Sequence, residues 1–512
     1  GDNNTALGMN ALGANTTADN NTAVGKNALS SNTTGGSSTA IGQGSLYANT
    51  TGTDNVAVGR AALNANTTGS NNTACGKGAL DSNTTANDNT GIGFYALTSV
   101  TTGAANVAVG SYSLDAITTG YCCVGVGNSA LGANTANHNA AVGYEALMSN
   151  TTASSNNAFG SGALRTNTTG GSLCAFGNNA LYANTTASYN SAFGRGALAA
   201  NTTGAQNTAI GYNTLENNTT ASFNTAVGSE TLFTNTTGAN NVAVGQAVMY
   251  QNTTGDQNTA MGNSALNKNT TGSYNSAFGN QALENSTTAS NNTAFGYKAL
   301  EANTTGVNNT AVGYEALEAN TTTHSCVSVG YQAGKNTTAS YTTVVGDRAM
   351  SQATVTGEYN TALGHYSAAN LTSGYYNIAV GSNALAAITT GHENVAIGGI
   401  ALDALTTGND QVAVGYAALS ALTTGARCTA VGYAAGANST TGADNVFVGY
   451  DAGVQNTTGS LNTAVGTYAL DANTTAVNGT AVGYGALGAN TGGSANTAVG
   501  KGAMSSNTTG TD

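Results

Sequence analysis

The chain has 512 residues, of which 70 are Gly, none is Pro or Trp, and only 7% are charged. Such a biased composition is typical of either disorder or strict repetition. Disorder is accompanied by few β-branched residues and high net charge, whereas Val, Ile and Thr recur here at fixed intervals. The net charge of −12 arises from 23 acidic and 11 basic residues that form no basic cluster. The sequence therefore predicts a repeat protein that binds no nucleic acid.

A Gly that follows an apolar residue recurs every 17 residues, beginning with Gly8, Gly25 and Gly42. Alignment on this Gly gives about 30 copies of the consensus N-T-A-V-G-Y-x-A-L-x-A-N-T-T-G-x-x, which we number as positions 1 to 17. A period this short is the signature of a solenoid. Short β-branched segments separated by Gly favour strands, which we expect at positions 1–4 and 7–10. The predicted fold is an all-β parallel β-solenoid, or β-roll, that runs as one repeat array over residues 1–512.

Substitutions among the copies predict which positions face the interior. Position 4 is apolar in every turn, as in Val24, and position 9 is nearly always Leu, as in Leu29. We therefore expect both rows inside, with the Thr or Val of position 2 beside position 4. Charged residues fall mainly at positions 6, 7, 10, 16 and 17. These rows are expected to face water.

Position 12 is Asn in about 20 turns, but Ile388, Leu405 and Leu422 occupy it in three successive turns. Because the hydrophobic replacements cluster, we expect this row to point inward, with the Asn side chains hydrogen-bonded to one another as a ladder. Each Asn-Thr-Thr is formally an N-glycosylation acceptor, and burial favours the structural explanation. The predicted ladder includes Asn15, Asn32, Asn49, Asn66, Asn83, Asn184 and Asn201.

Tyr residues at position 6 form two runs in successive turns. One explanation is stacking between adjacent parallel strands. The other is a surface stripe that binds a glycan or a partner chain, because exposed aromatic rows are unusual on a surface without a partner. The two runs are Tyr297, Tyr314 and Tyr331, and Tyr416, Tyr433 and Tyr450.

The residue types that carry catalysis or bind metals are scattered along the chain. The six Cys contain no C-x-x-C spacing, and the four His have no partner at metal-ligand spacing. Most of the Cys are expected to be isolated interior residues. Catalysis needs convergent side chains, so we expect neither an enzyme nor a cofactor or metal site. No apolar run reaches the roughly 18 residues of a membrane span.

Three steps of the repeat depart from 17 residues: 16 from Gly127, 16 from Gly330 and 18 from Gly346. Inserting or deleting a residue shifts a strand by one side chain. Residues 323–374 are therefore expected to form an irregular segment with a loop, bulge or bend, and they are a candidate hinge or contact site.

The units Asn21–Gly25 and Asn309–Gly313, both Asn-Thr-Ala-Val-Gly, resemble the Asn-Ser-Val-Ala-Ile-Gly repeats of trimeric autotransporter adhesin heads. They are more similar still to the repeats of tail-fibre-like proteins of phages and bacteria. The resemblance spans the whole chain. It implies a left-handed β-roll, homotrimeric assembly and attachment outside the cell.

The leading hypothesis is a structural fibre or filament segment, located outside the cell, on the cell surface or on a virion. It would associate with itself as a homotrimer or end to end, without insertion into a membrane. The alternative is an adhesive module that recognises a cell-surface glycan or receptor. A third hypothesis, an ice-binding protein, arises from the stacked Thr rows at positions 13 and 14.

Overall fold

The structure is a computed structural model that describes residues 1–511. Within these residues it has 30 strands of three residues each and no helix, so the protein is an all-β parallel solenoid with one strand per turn. Each strand covers positions 2 to 4 of the repeat. The chain forms two compact units, Gly1–Gln257 and Asn258–Asp512.

In the first unit, successive strands pair in parallel and in constant register. Thr5 pairs with Thr22, and Thr22 pairs with Thr39, so each turn stacks residue for residue on the next. The strands are β1 (Thr5–Leu7), β2 (Thr22–Val24), β3 (Thr39–Ile41), β4 (Val56–Val58), β5 (Thr73–Cys75), β6 (Thr90–Ile92), β7 (Val107–Val109), β8 (Val124–Val126), β9 (Ala140–Val142), β10 (Asn157–Phe159), β11 (Cys174–Phe176), β12 (Ser191–Phe193), β13 (Thr208–Ile210), β14 (Thr225–Val227) and β15 (Val242–Val244).

The second unit repeats this arrangement. Thr259 pairs with Ser276, and Ser276 pairs with Thr293. The strands are β16 (Thr259–Met261), β17 (Ser276–Phe278), β18 (Thr293–Phe295), β19 (Thr310–Val312), β20 (Val327–Val329), β21 (Thr343–Val345), β22 (Thr361–Leu363), β23 (Ile378–Val380), β24 (Val395–Ile397), β25 (Val412–Val414), β26 (Thr429–Val431), β27 (Val446–Val448), β28 (Thr463–Val465), β29 (Thr480–Val482) and β30 (Thr497–Val499).

Positions 7–10 form a turn, and the second strand expected there is absent from the described turns. Gly25 at position 5 has a φ of 137°, and a Cβ on it would lie 2.5 Å from the carbonyl oxygen of Gly42 in the next turn. Asn27 at position 7 and Leu29 at position 9 have φ values of 60° and 50°. Two residues in the left-handed region bend the backbone, so an extended strand cannot continue through them.

The interior of each turn is lined by Ala at positions 3 and 8 and by Leu at position 9. Ala23, Ala28 and Leu29 are fully buried. Ala at position 3 leaves only a methyl group between the sheet and the Leu row, so the two sides of the turn lie close together. Leu29 occupies a backbone conformation that is costly for a residue with a Cβ, and burial of its side chain offsets this cost.

The expectation that position 4 faces the interior is wrong. Val24 is only partly buried, and Ile41 at the same position is exposed. Side chains alternate between the two faces of a strand. Since Ala23 at position 3 points inward, the Thr or Val of position 2 and the apolar residue of position 4 must both point outward.

The irregular steps of the repeat do not disturb the strand register. β8 pairs with β9, β20 with β21, and β21 with β22, without a slip. The missing residue after Gly127 is absorbed in the turn, where the Asn134 side-chain amide reaches the carbonyl oxygen of Ala136, two residues on. After Gly346 the extra residue is also accommodated outside the strands, and Val355 forms an isolated bridge with Thr337 of the preceding turn. The side-chain shift expected for these steps is therefore absent from these strands.

Candidate functional site

The outward side of the sheet, which we call the outer face, carries the two exposed rows at positions 2 and 4. Val56 at position 2 is 39% exposed, and Ile41 and Met261 at position 4 are 41% and 48% exposed. Position 4 is apolar in all 30 described strands, and neither position carries a charged residue in any of them. In each unit the outer face is therefore an uncharged and largely apolar surface.

The residue types at positions 2 and 4 of one strand are correlated. Phe occurs at position 4 in β10, β11, β12, β17 and β18, where position 2 is Asn, Cys, Ser, Ser and Thr. In the other described strands position 2 is Thr, Val or Ile, except for Ala140. Neither Val nor Ile thus lies at position 2 of a described strand that carries Phe at position 4.

The predicted Asn ladder at position 12 is confirmed. The Asn49 side-chain amide donates to Asn32 Oδ1 at 2.8 Å, and the Asn66 amide donates to Asn49 Oδ1 at 2.8 Å. Each amide also donates to the carbonyl oxygen at position 15 of its own turn, as Asn66 does to Gly69 at 2.9 Å. Asn15 is half-buried and accepts from Asn32, while further links join Asn83 to Asn66, Asn184 to Asn167 and Asn201 to Asn184.

A second ladder runs along position 1. The side-chain oxygen of Asn21 accepts the backbone N–H of Ser38 in the next turn at 2.9 Å, and its amide donates to the Gly35 carbonyl at 3.0 Å. The amide of Asn32 donates to the same carbonyl at 2.8 Å. The two ladders therefore converge on position 15. A buried carbonyl that would otherwise lack a partner is satisfied twice.

This convergence explains where the ladder tolerates hydrophobic residues. Ile388, Leu405 and Leu422 are fully buried and give nothing to the position 15 carbonyl. In the turn of Leu405 the amide of Asn394 at position 1 still donates to the Gly408 carbonyl at 2.9 Å. The hydrogen bond from position 12 can therefore be lost in a turn where the amide at position 1 still satisfies the position 15 carbonyl.

Cysteine replaces Asn at position 1 in several turns, and its thiol takes over the hydrogen bond that the Asn amide otherwise donates to position 15. Cys428 Sγ lies 3.4 Å from the Gly442 carbonyl oxygen, which accepts its weak hydrogen bond. Burial raises the pKa of the Cys123 and Cys428 thiols, which keeps them protonated and unreactive. The expectation of an interior position fails for Cys75 on the outer face and for Cys122 at position 17, because both are exposed.

The Thr row at position 13 has its hydroxyl groups engaged. Thr33 Oγ1 donates to the Thr50 carbonyl at 3.0 Å, and Thr50 Oγ1 donates to the Thr67 carbonyl at 3.0 Å. These hydroxyls add a further column of bonds between turns.

The two runs of Tyr at position 6 are stacked. The ring centroids of Tyr297, Tyr314 and Tyr331 are 5.1 and 5.2 Å apart. Those of Tyr416, Tyr433 and Tyr450 are 5.5 and 5.2 Å apart. In each run the middle ring has both faces covered by its neighbours, so it offers edges and hydroxyl groups to solvent. A sugar ring that binds by stacking needs a free aromatic face.

No cluster of three or more His, Cys, Asp or Glu side chains able to hold a metal ion is found among residues 1–511. Over the same residues no helix has the length and apolarity needed to cross a bilayer.

Comparison with known proteins gives no further guide. No protein-family model matches the chain, and no curated protein matches it either.

Proposed function

We propose that the protein is a structural fibre segment whose copies associate laterally through their outer faces. The two ladders and the column of Thr hydrogen bonds make the stack of turns, and the outer face joins one chain to another. The observation that carries this proposal is the uncharged apolar row at position 4, which is present in all 30 described strands. As an extracellular fibre, on a cell surface or a virion, the protein would act by its length and stiffness and not as an enzyme.

The extent of the outer face argues for a permanent partner. Monomeric soluble proteins rarely expose contiguous apolar patches larger than roughly 300–600 Å². Here residues such as Ile41, Val56 and Ile92 are each about 40% exposed and belong to closely spaced turns. A patch that grows with every turn is a lasting aggregation hazard unless another surface covers it.

A second copy of the chain is the partner that fits this surface best. The outer face repeats at the spacing of the turns and carries no charge at positions 2 and 4. Although the chain has a net charge of −12, identical outer faces would meet without like-charge repulsion at their centre. Closed symmetric association of identical chains is the usual form of protein oligomers. Three copies is the number that the resemblance to adhesin heads implies.

The measurement that tests the proposal is the mass of the full chain in solution, by light scattering and sedimentation. We expect an oligomer. A triple variant with Glu at position 4 of well-separated strands (Val24→Glu, Val109→Glu and Val227→Glu) should be monomeric, because burying unpaired carboxylates is costly. The matched control places Glu at exposed position 6 (Gln43→Glu, Asn128→Glu and Asn178→Glu) and should leave the mass unchanged.

The native thiol of Cys75 reports on the same interface, and that of Cys122 is its control. Cys75 lies at position 4 of β5, and Cys122 lies at position 17, away from the outer face; both are exposed in the single chain. We expect slow alkylation of Cys75 in the assembled protein and fast alkylation in the position 4 variant, with Cys122 fast in both. A monomer with a fully reactive Cys75 would overturn the proposal. If that monomer also shaped ice crystals, the outer face would instead bind ice.

A further inference from the structure

A surface depression of about 380 Å³ lies in the second unit, beside the 18-residue step of the repeat. Its walls include Glu358, Tyr359, Tyr375 and Tyr376, with the Ser373 side chain at its edge. All five of these side chains are exposed. The depression lies at positions 14 to 17 and uses neither row of the outer face, so it is independent of the proposed self-association.

The rings around this depression do not form a simple column. Tyr359 and Tyr376 at position 17 stack at 5.0 Å between centroids. Tyr375 at position 16 is nearly perpendicular to Tyr376, at 77° and 5.6 Å. One face of Tyr375 is covered by His392 of the next turn at 4.7 Å. In the preceding turn position 16 is Glu358, so a carboxylate and not a ring lies on the other side of Tyr375.

Elsewhere on the chain such a pairing of Tyr and Glu is completed by a cation from the chain itself. Arg165 bonds to Glu145 at 2.5 Å, and its guanidinium lies over the ring of Tyr182 at 5.6 Å. Lys298 repeats the arrangement, 3.2 Å from Glu301 and 5.7 Å from the centre of the Tyr297 ring. A ring face and a carboxylate together attract a positive charge more than either alone.

The Tyr375 corner has the rings and the carboxylate without such a cation. None of the ion pairs found in residues 1–511 involves Glu358. No Lys or Arg among the cations placed over rings in that range lies over Tyr359, Tyr375 or Tyr376. Glu358 and the three Tyr side chains line the same depression, which brings this carboxylate close to the rings.

We infer that this corner binds a small quaternary ammonium group of the kind that choline carries. Tyr359 is stacked between Tyr341 and Tyr376, at 5.0 Å from each, so it presents only its edge to the depression. The methyl groups of such a cation lie against the free face of Tyr375, and its charge lies beside Glu358. A quaternary ammonium fits better than a sugar because the walls offer one ring face beside one carboxylate, with few donors for sugar hydroxyl groups.

Titration of the full-length protein with choline chloride, followed by saturation-transfer NMR of its methyl protons, tests the inference. We expect saturable binding in the millimolar range, and at least about tenfold weaker binding of 3,3-dimethyl-1-butanol, the neutral molecule of the same shape. Tyr375→Ala should abolish binding, Tyr375→Phe should retain it, and Glu358→Gln should weaken it about three- to tenfold.

Tyr433→Ala is the matched control, because this Tyr is 49% exposed but has stacked rings on both sides. It should bind choline like the unchanged protein. Equal binding of the neutral analogue, or binding that survives Tyr375→Ala, would contradict the inference. Binding of methyl β-D-galactopyranoside without binding of choline would contradict it too, and would assign the corner to saccharides.

Discussion

The ring of Phe447 occupies the space that a side chain on Gly453 would need. A Cβ on Gly453 would lie 2.4 Å from Phe447 Cε1, and a Cβ on Gly436 in the preceding turn would lie 2.6 Å from Phe447 Cδ2. Gly436 and Gly453 replace the usual Leu of position 9, while Phe447 replaces the usual Ala of position 3. One large ring thus fills the volume of two missing Leu side chains, and it is almost completely buried.

Replacing Phe447 with Ala should therefore open a cavity in the core. We expect a loss of about 3–5 kcal/mol of stability. Gly453→Leu alone should also destabilise the turn, because it collides with the ring. The double variant restores the consensus Ala and Leu in this turn, although Gly436 remains in the preceding one, and it should be more stable than either single variant. Hydrogen exchange of the amides in β27 and β28 measures the local loss of stability. If the losses of the two single variants simply added in the double variant, the Phe447 ring would not be filling the space of a position 9 side chain.

The Asn ladder predicts that removing a buried ladder amide costs more stability than removing a partly exposed amide from the same turn. Asn66→Ala removes the donor to the buried Asn49 Oδ1, while the Gly69 carbonyl keeps the amide of Asn55; the acceptor left without a partner should cost about 1–3 kcal/mol. Asn64 in the same turn is partly exposed, and Asn64→Ala should cost much less. The measurement is hydrogen exchange in the two flanking turns. Equal losses for the two variants would show that the ladder adds nothing.

The Gly of position 5 should be irreplaceable, unlike Gly at position 14. Gly483 has a φ of 132°, and a Cβ on it would lie 2.6 Å from the backbone of Gly500. Gly483→Ala should cost at least about 1–3 kcal/mol from backbone strain alone. At Gly492 a Cβ would meet nothing within 4 Å. Gly492→Ala should leave the thermal midpoint unchanged, and a comparable fall for both variants would exclude this explanation.

Asp81 predicts a pH-dependent stability. Burial raises its pKa, and its Oδ1 is buried without a hydrogen-bond partner in the described structure. The folded state therefore binds the proton more tightly than the unfolded state. Ionisation of Asp81 therefore lowers the free energy of unfolding. This loss is fully present above the raised pKa and disappears as the pH falls to the ordinary aspartate pKa of about 3.9.

Asp81→Asn should accordingly stabilise the protein at pH 7, with a gain that shrinks as the pH falls through this window. Denaturant unfolding at several pH values measures it. Asp88→Asn, at an exposed position, is the control. A gain that stays constant down to pH 3 would rule out the charge as its cause.

The two kinds of Asn-x-Thr site predict selective modification of the folded chain. Asn303 belongs to the buried ladder, whereas Asn291, in the sequence Asn291-Asn292-Thr293, is exposed at a turn with a φ of 60°. A glycosyltransferase specific for this motif, added to the folded protein with a nucleotide sugar, should modify Asn291 and not Asn303. Heat-unfolded chain should accept sugar at both. Peptide mass spectrometry distinguishes the two sites, and sugar on Asn303 of the native protein would refute the ladder's protection.

Much of the fold could be predicted from the internal repeats because each position has been substituted many times. The clustering of Ile388, Leu405 and Leu422 showed that position 12 is interior, and the recurrent Leu29 row is buried as expected. The facing of Val24 was misjudged because apolar residues were assumed to lie inside, although many remain on protein surfaces. The alternation of side chains along a strand predicts the observed facing. Positions 1 and 3 share one face and position 4 lies on the other, so Asn21 and Val24 cannot both point inward.

The turn at positions 5 to 11 could not be predicted in the same way. Left-handed conformations at Asn27 and Leu29 depend on close contact with the turns on either side, and Leu has no local preference for them. The aromatic corner at Tyr375 was also missed, since it depends on the angle between two rings that are adjacent in sequence. Glu358, 17 residues before Tyr375, was the signal available.

The constant 17-residue register from strand to strand has an evolutionary consequence. A tandem duplication or deletion of one whole repeat unit leaves every remaining turn with neighbours of the same shape. Recombination between repeats can therefore change the length of the protein within a lineage, while selection acts on the cross-section of the turn. Relatives are expected to differ in the number of turns much more than in the residues at positions 1, 3, 5, 9 and 12.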